Sequence, residues 1–309
     1  MSKKLFIGDI HGQVEKLDAL LSHFDLEQNQ AQLVFVGDLI DNGKDATVDH
    51  LALLNKVKDL VDAGKAHCVM GNHEFNAVGW VLKKPDGSYC RDRNKPSNIK
   101  QHQVFLAEVK EDSAEHKKWI EWFKSRPVFL DFGDVRTIHA CWHQESIEKI
   151  RPYLNDDNTL KEAHWFDAFD KNHELYQLIE NLLKGPEVEL PTGCSFKDKT
   201  GTERFAIRTA WWKEASTIET YQDLAVVPKA QSNNIPDVTA ERTALAFNKE
   251  METPVVIGHY TLDQTSQPQL LSQKVICVDF NAAKADNPLV GYYFDPEKAI
   301  SAENFIQID

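Results

Sequence analysis

Three times within its first 74 residues the chain drives a short apolar run into glycine and then into cation-binding residue types. The runs are "KLFIGDIHG" at 4–12, "QLVFVGDLIDNG" at 32–43 and "AHCVMGNHE" at 66–74. Leu5 to Ile7 is long enough for a buried strand and too short for a helix. Residues 13–24 place Val14, Leu17, Leu20, Leu21 and Phe24 on one helical face. A second helix is predicted over 45–64, closed by Gly64. Strand, helix, strand, helix, strand in this order implies a parallel sheet with helices packed on it. In such sheets, ligands collect beyond the carboxyl ends of the strands.

Further along, residues 83–100 form an irregular stretch punctuated by Pro and Gly, followed by helical patterns at 101–110 and 113–124. "PVFLDFGDVRTIHA" reads as a hairpin turning at Gly133-Asp134. A long helix is predicted over 162–183, while 184–237 holds four prolines and no clear period. "TPVVIGHY", "KVICVDF" and "PLVGYYF" read as further strands. The expectation is one domain over 1–309, with insertions beside the substrate near 83–100 and 184–237.

The first pair of polar residues, Asp9 and His11, lies two apart, so on an extended backbone both side chains reach the same side. Asp38 and Asp41 follow the second run, and Asn72, His73 and Glu74 the third. His139 in "TIHACWH" and His259 in "VVIGHY" each follow a later apolar run. Asp and Asn are common turn residues after strands, and a buried histidine is often only a satisfied core residue. Yet "GNHE" arises by chance in on the order of one in a thousand chains this long, and here it joins four more strand ends of the same kind. Carboxylate, imidazole and amide oxygen together suit Mn, Fe or Zn, and no cysteine pair points to a structural zinc site.

With "GDIHG", "GDLIDNG", "GNHE", "IHA" and "IGHY" in this order, the chain resembles the calcineurin-like metallophosphoesterases, in their phosphoprotein-phosphatase-type branch. The resemblance spans residues 8 to about 260. It implies an α/β fold, an α+β sandwich in which a β-sandwich is flanked by helices, with two divalent ions at the strand ends. By position, Asp9 and His11 would hold one metal, Asp38 would bridge both, and Asn72, His139 and His259 would hold the other. His73 would donate a proton to the leaving group, with Asp41 orienting its ring. Mn is the metal expected first, with Fe or Zn as alternatives. Two such ions can hold a hydroxide between them and polarise the phosphoryl group.

One departure matters. Relatives often read Asp-Arg-Gly where this chain has Asp41-Asn42-Gly43, so their phosphate-gripping arginine is missing. Arg208 in "FAIRTAWW" is the expected replacement, with Arg91 and Arg93 in reserve; a bidentate guanidinium is the usual solution. Asn42 itself is placed at the substrate. His143 rivals His139 but lies beyond the strand end. His50, His102 and His164 are read as surface or helix residues. Of Trp211 and Trp212, one is assigned to the core and the other to the pocket wall. The basic stretch from Lys83 to Lys100 reads either as a solvated face or as a guide for anionic substrate.

The formal net charge of −13 excludes sequence-independent binding to duplex nucleic acid. No apolar run is long enough for a membrane span, and no signal-peptide core is present. Five scattered cysteines read as reduced thiols, which places the protein in the cytoplasm. A P-loop fails on spacing, no cysteine has an arginine six residues downstream, and no Gly-x-Ser-x-Gly occurs. The leading reading is hydrolysis of phosphomonoesters, phosphoproteins or small phosphoesters, at a two-metal site. Next comes hydrolysis of phosphodiesters or dinucleoside polyphosphates such as diadenosine tetraphosphate. A non-catalytic scaffold comes last, since no ligand position is lost.

Overall fold

The apolar runs that open the chain bury both faces, and that requirement shapes the architecture. A computed structural model describes residues 2–42, 47–198, 201–227, 229–262, 267–284 and 286–308. Its first part contains β1 (Lys3–Ile7), α1 (Val14–His23), α2 (Leu26–Asn29), β2 (Ala31–Phe35), α3 (His50–Asp62), β3 (Ala66–Cys68) and α4 (Asn72–Val81). Next come α5 (Pro96–Val109), α6 (Ala114–Lys124), β4 (Phe129–Asp131), β5 (Arg136–Ile138), α7 (Gln144–Ile150) and α8 (Glu174–Lys184). Then follow β6 (Glu187–Glu189), β7 (Phe196–Lys197), β8 (Glu203–Arg204), β9 (Ala206–Arg208) and α9 (Tyr221–Leu224). The last strands are β10 (Val255–Ile257), β11 (Val275–Cys277), β12 (Val290–Phe294) and β13 (Phe305–Gln307).

One sheet runs β13-β12-β1-β2-β3, with β1, β2 and β3 parallel as the sequence predicts and β12 antiparallel to β1. A second, four-stranded sheet runs β11-β10-β5-β4, and the pairs β6-β9 and β7-β8 stand apart from both. Alternate residues divide between two apolar layers. Phe6, Val34, Val256 and Ile276 pack between the sheets with Val36, Val135 and Tyr292. Leu5, Ile7, Leu33, Phe35, Val255 and Ile257 turn outward beneath the helices, among them Leu17 and Leu20 of α1 and Leu53, Leu54 and Val57 of α3. Each such side chain, fully removed from water, contributes about 1.5–3 kcal/mol. The expected sandwich flanked by helices is therefore present.

The hairpin at Gly133-Asp134 forms as expected, with Leu130 opposite Thr137. Three other expectations are corrected. The "GNHE" segment does not stay extended: after β3 it opens the ten-residue helix α4. Helix α5 starts at Pro96 rather than near residue 101, because Pro at the first helical position needs no N–H partner. The helix expected over 162–183 is two short 3₁₀ turns followed by α8. Asp170 accepts from the Asn172 N–H at 3.0 Å and closes a turn, and His173 then caps α8 by accepting from Leu175 N–H. The start of the helix expected from residue 45 lies outside the described residues, and α3 begins at His50.

The described residues between 187 and 245 form a small annex with its own core of Leu190, Ile207, Ile218, Tyr221, Leu224 and Ile235. Its two-residue and three-residue strands have no legible period. All five cysteines are free, and Cys68, Cys141 and Cys277 are buried. Among the described residues, no helix is long and apolar enough to cross a membrane.

Candidate metal centre

Register brings the polar strand ends level. Ile7 pairs with Phe35, and Phe35 with Cys68, so Asp9, Asp38 and Asn72 emerge together on one edge. The loops are laced to one another. Asp38 O accepts from the Ile10 and His11 N–H groups at 3.1 Å each, and Asp9 Oδ2 accepts from His259 N–H at 3.0 Å. Two glycines permit this closeness. A Cβ on Gly258 would meet Asp9 Oδ1 at 2.1 Å, and one on Gly71 would meet Asp38 N at 2.2 Å. His11, Asp38, Asp41, Asn42 and His259 all have φ between 49° and 69°. Asn, Asp and His are the side chains that tolerate this left-handed region best, and it still costs of order 1–3 kcal/mol per residue.

Donor atoms from both sheets converge. Asn72 Oδ1 lies 2.6 Å from His259 Nδ1 and 3.1 Å from His139 Nε2, which is itself 3.2 Å from Asp38 Oδ2. Ligand atoms of Asp38, His139 and His259 lie within 4.8 Å of one another, and so do those of His11, Asp38 and His73. His139 and His11 each give the Nδ1 proton to a backbone carbonyl, of Val36 at 2.8 Å and of Ile40 at 2.7 Å, which fixes each ring with Nε2 turned into the cluster. Burial, and then neighbouring cations, lower the proton affinity of His11 and His259, so both rings present neutral donor nitrogens.

The carboxylates show why a cation fits. Burial works against the charge on Asp38, yet His139, His73 and His11 hold its carboxyl well below the usual range. Asp9 has only the His259 backbone N–H to favour its charge. Burial, Asp279 and Asp38 push it well above its usual value, and its Oδ1 has no hydrogen-bond partner. A buried, orphaned carboxylate oxygen beside other carboxylates is the environment a divalent ion relieves. Asp9, His11, Asp38, Asn72, His139 and His259 are the residues that could hold such ions.

Beside them stands His73. Its Nδ1 lies 2.9 Å from Asp41 Oδ2, and its Nε2 lies 3.7 Å from Asp38 Oδ2. Burial disfavours a charged ring here, but Asp38 and Asp41 overcome it and raise His73 to about 9. Asn42 Nδ2 lies 3.4 Å from both His73 Nε2 and His11 Nε2. Arg208 sits at the end of β9, on the His259 side, where its charge helps lower the His259 ring. Its Nη2 is 3.3 Å from Glu187 Oε1, while its Nε is buried without a partner. Gly43 lies outside the described residues.

Other expectations are sorted by the fold. His143 bonds Ser146 Oγ at 2.9 Å and stays out of the cluster. Trp211 is fully buried, donating to Ala140 O, and Trp212 packs on Tyr260. Arg93 is spent on structure, stacked 3.4 Å from the Tyr89 ring centroid and paired with Glu111. His50 and His102 are helix residues, of α3 and α5, but not surface ones: both are buried, and His102 Nδ1 lies 2.7 Å from Asp41 Oδ1. Asp41 thus stands between two imidazoles. His102 comes from α5, 61 residues away, and carries no local signal.

Glu74 was also unassigned. Its Oε2 accepts from Asp38 N–H at 2.9 Å and Gly71 N–H at 3.1 Å; its Oε1 accepts from Leu39 at 2.8 Å and Ile40 at 3.3 Å. Burial and Asp38 push its carboxyl up to about 7, against those donors, each of which favours the ionised form. The reach from the third helical residue back to the residue before the helix is half of a capping box, which sequence alone could have shown. Asp279 plays the same part for the last loop, accepting from Thr261 N–H at 2.6 Å.

Carboxylates, an amide and imidazoles from five strand ends of a two-sheet frame thus meet in one buried cluster of the donor types that hold divalent cations. The model of the Calcineurin-like phosphoesterase family matches residues 2–189, and the chain belongs to that family. It is 31% identical over 136 residues to a symmetrical bis(5'-nucleosyl)-tetraphosphatase of Janthinobacterium sp. (strain Marseille), covering 43% of this chain and 42% of that one. It is 26% identical over 226 residues to the asymmetrical bis(5'-nucleosyl)-tetraphosphatase PrpE of Oceanobacillus iheyensis, covering 64% and 87%. The chain spans about half the length of the symmetrical relatives it matches. Among solved structures, a protein serine/threonine phosphatase from Saccharomyces cerevisiae is similar with a TM-score of 0.50 at 14% identity, over 99% of this chain and 79% of that one.

Proposed function

We propose that the chain hydrolyses dinucleoside polyphosphates at a centre of two divalent ions. The observation that supports the chemistry is the placement of His73, backed by Asp41, beside Asp38 and the His11, His139 and His259 nitrogens. When bound, the ions would activate water and neutralise phosphoryl charge. The residues do the rest. Asp38 would face both ions, Asp9 and His11 would hold one, and Asn72, His139 and His259 the other. His73 Nε2 would carry the proton passed to the departing oxygen, with Asp41 fixing the ring through Nδ1. Arg208 would hold non-bridging phosphoryl oxygens from the His259 side.

For the substrate, the relatives named bis(5'-nucleosyl)-tetraphosphatase support the second reading of the sequence over the first. Likeness to a serine/threonine phosphatase at 14% identity speaks to the fold alone. Chelated protein, reloaded with Mn, Fe or Zn, would be assayed on diadenosine tetraphosphate, phosphopeptides, para-nitrophenyl phosphate and its bis-ester. The expected result is the highest kcat/KM for the tetraphosphate. A preference for phosphopeptides would restore the phosphomonoester reading. Full activity with at most one metal per chain would remove the two-ion centre.

A further inference from the structure

The proton donor has a neighbour that the functional reading leaves unused. Gln101 Nε2 lies 3.1 Å from His73 Nε2. Its amide is not free to turn, because Arg91 Nη2 donates to Gln101 Oε1. Arg91 is itself half-buried, facing the charges of Asp41 and Glu180, with its backbone N–H on Gly79 O at 2.9 Å. The tether therefore aims the Gln101 NH₂ at the nitrogen from which His73 gives up its proton. At 3.1 Å the amide can donate to Nε2 itself or to an oxygen bound beside it, because both nitrogens face the same spot.

The leaving oxygen is the atom that must come to His73 Nε2. Gln101 also lines a cavity of about 560 Å³ along α5, with Asn42, Ser97, Asn98, Lys100, Gln103 and Val104, and none of these described lining residues is acidic. Lys100 makes no ion pair among the described residues. Amides, a hydroxyl and one ammonium suit a leaving group that carries phosphoryl oxygens of its own. An uncharged alcohol would leave the ammonium unused.

We infer that Gln101, tethered by Arg91, donates a hydrogen bond to the same leaving oxygen that His73 protonates, and that the α5 cavity takes a phosphate-bearing leaving group with Lys100 as its counter-charge. The inference rests on the hydrolytic reading above and adds to it where the departing half of the substrate lies. As water adds to phosphorus and the P–O bond to the leaving group breaks, the His73 proton moves to that oxygen. Gln101 supplies a hydrogen bond and no proton. Arg91 is a positioning residue, acting through Gln101.

The test uses full-length, metal-loaded protein and a series of aryl phosphates of graded leaving-group basicity. Gln101→Ala should lower kcat on the order of 10- to 100-fold for the poorest leaving group, and progressively less as the leaving group improves. Arg91→Ala should show the same slope in weaker form. Gln101→Glu keeps a side chain of the same length but presents an acceptor, and should fall below Gln101→Ala. A nucleoside diphosphate, ADP, should inhibit the aryl phosphate reaction, and Lys100→Ala should raise its inhibition constant on the order of 10-fold. A loss in Gln101→Ala that is equal for all leaving groups, or Gln101→Glu more active than Gln101→Ala, would overturn the assignment of Gln101. Absence of ADP inhibition, or an inhibition constant that Lys100→Ala leaves in place, would overturn the cavity. Failure of the wild type to cleave diadenosine tetraphosphate would remove that substrate, while the aryl series and ADP would still decide Gln101 and the cavity.

Discussion

Glu74→Gln removes one oxygen from the carboxylate that joins the Asp38 loop to the start of α4, and changes almost no volume. An amide has one carbonyl oxygen, so it can keep the bonds from Asp38 and Gly71 or those from Leu39 and Ile40, not both pairs. Either way two buried N–H groups lose their acceptor, and an NH₂ is turned toward them. At ~1–3 kcal/mol for each unsatisfied group, the variant should lose about 2–6 kcal/mol, a large part of the 5–15 kcal/mol typical of a whole domain. Urea unfolding of metal-free protein, followed by tryptophan fluorescence, measures this directly. The midpoint should fall with the slope unchanged. Because Asp38 would lose its backbone anchor, metal content after equilibrium dialysis should fall as well. A stability loss below about 1 kcal/mol with full metal content would show that the four contacts do not hold the loop, and the account of the site's scaffold would be wrong.

Four further outcomes are expected. Asp38→Asn should reduce bound metal more than the same change at Asp9, since Asp38 faces both groups of ligands; elemental analysis compares them. His73→Asn should keep its metal and lose ~10²–10⁴-fold in rate, less for good leaving groups; loss of metal instead would make His73 a ligand. Arg208→Ala should lower kcat/KM without releasing metal, and Arg208→Lys should recover only part, because an ammonium has charge without the planar fork. In metal-free protein, the His73 ring should titrate near 9 by NMR. A folded-state value above the unfolded ~6.5 means that its stabilising effect is complete below 6.5 and lost as pH rises through about 9. The stability gap between wild type and Asp41→Asn should therefore narrow over that window, and a ring titrating at or below 6.5 would contradict the stated role of Asp41.

The parts of the molecule that were legible share one property: their signal is local and their burial is complete. Leu5, Phe6 and Ile7 face apolar layers on both sides, so a continuous apolar run had one economical reading. The clustering of the candidate ligand residues was legible because they follow such runs within four residues. His102 was not, because its meaning lies in Asp41, far away in sequence. The stretch at 162–183 misled because 3₁₀ turns and α-helix share apolar spacing over a few residues, and only the Asp170 turn separates them. Glu74 was in plain view inside "GNHE", but a search for cation ligands passes over a carboxylate whose partners are all backbone N–H groups.

Five residues lining the centre share the left-handed backbone, and this narrows the alphabet in which such a centre can be written. Glu, Cys and Met can also bind cations, but none accepts φ near +50° or +70° as readily as Asp, Asn and His. At His11, Asp38 and His259 the chain geometry and the coordination chemistry independently admit nearly the same few residue types. An engineer who retunes the metal by changing ligand identity at these positions must first rebuild the loop. Asp9, Asn72 and His139, which have no such twist, are where a different donor can be introduced with the loops left as they are.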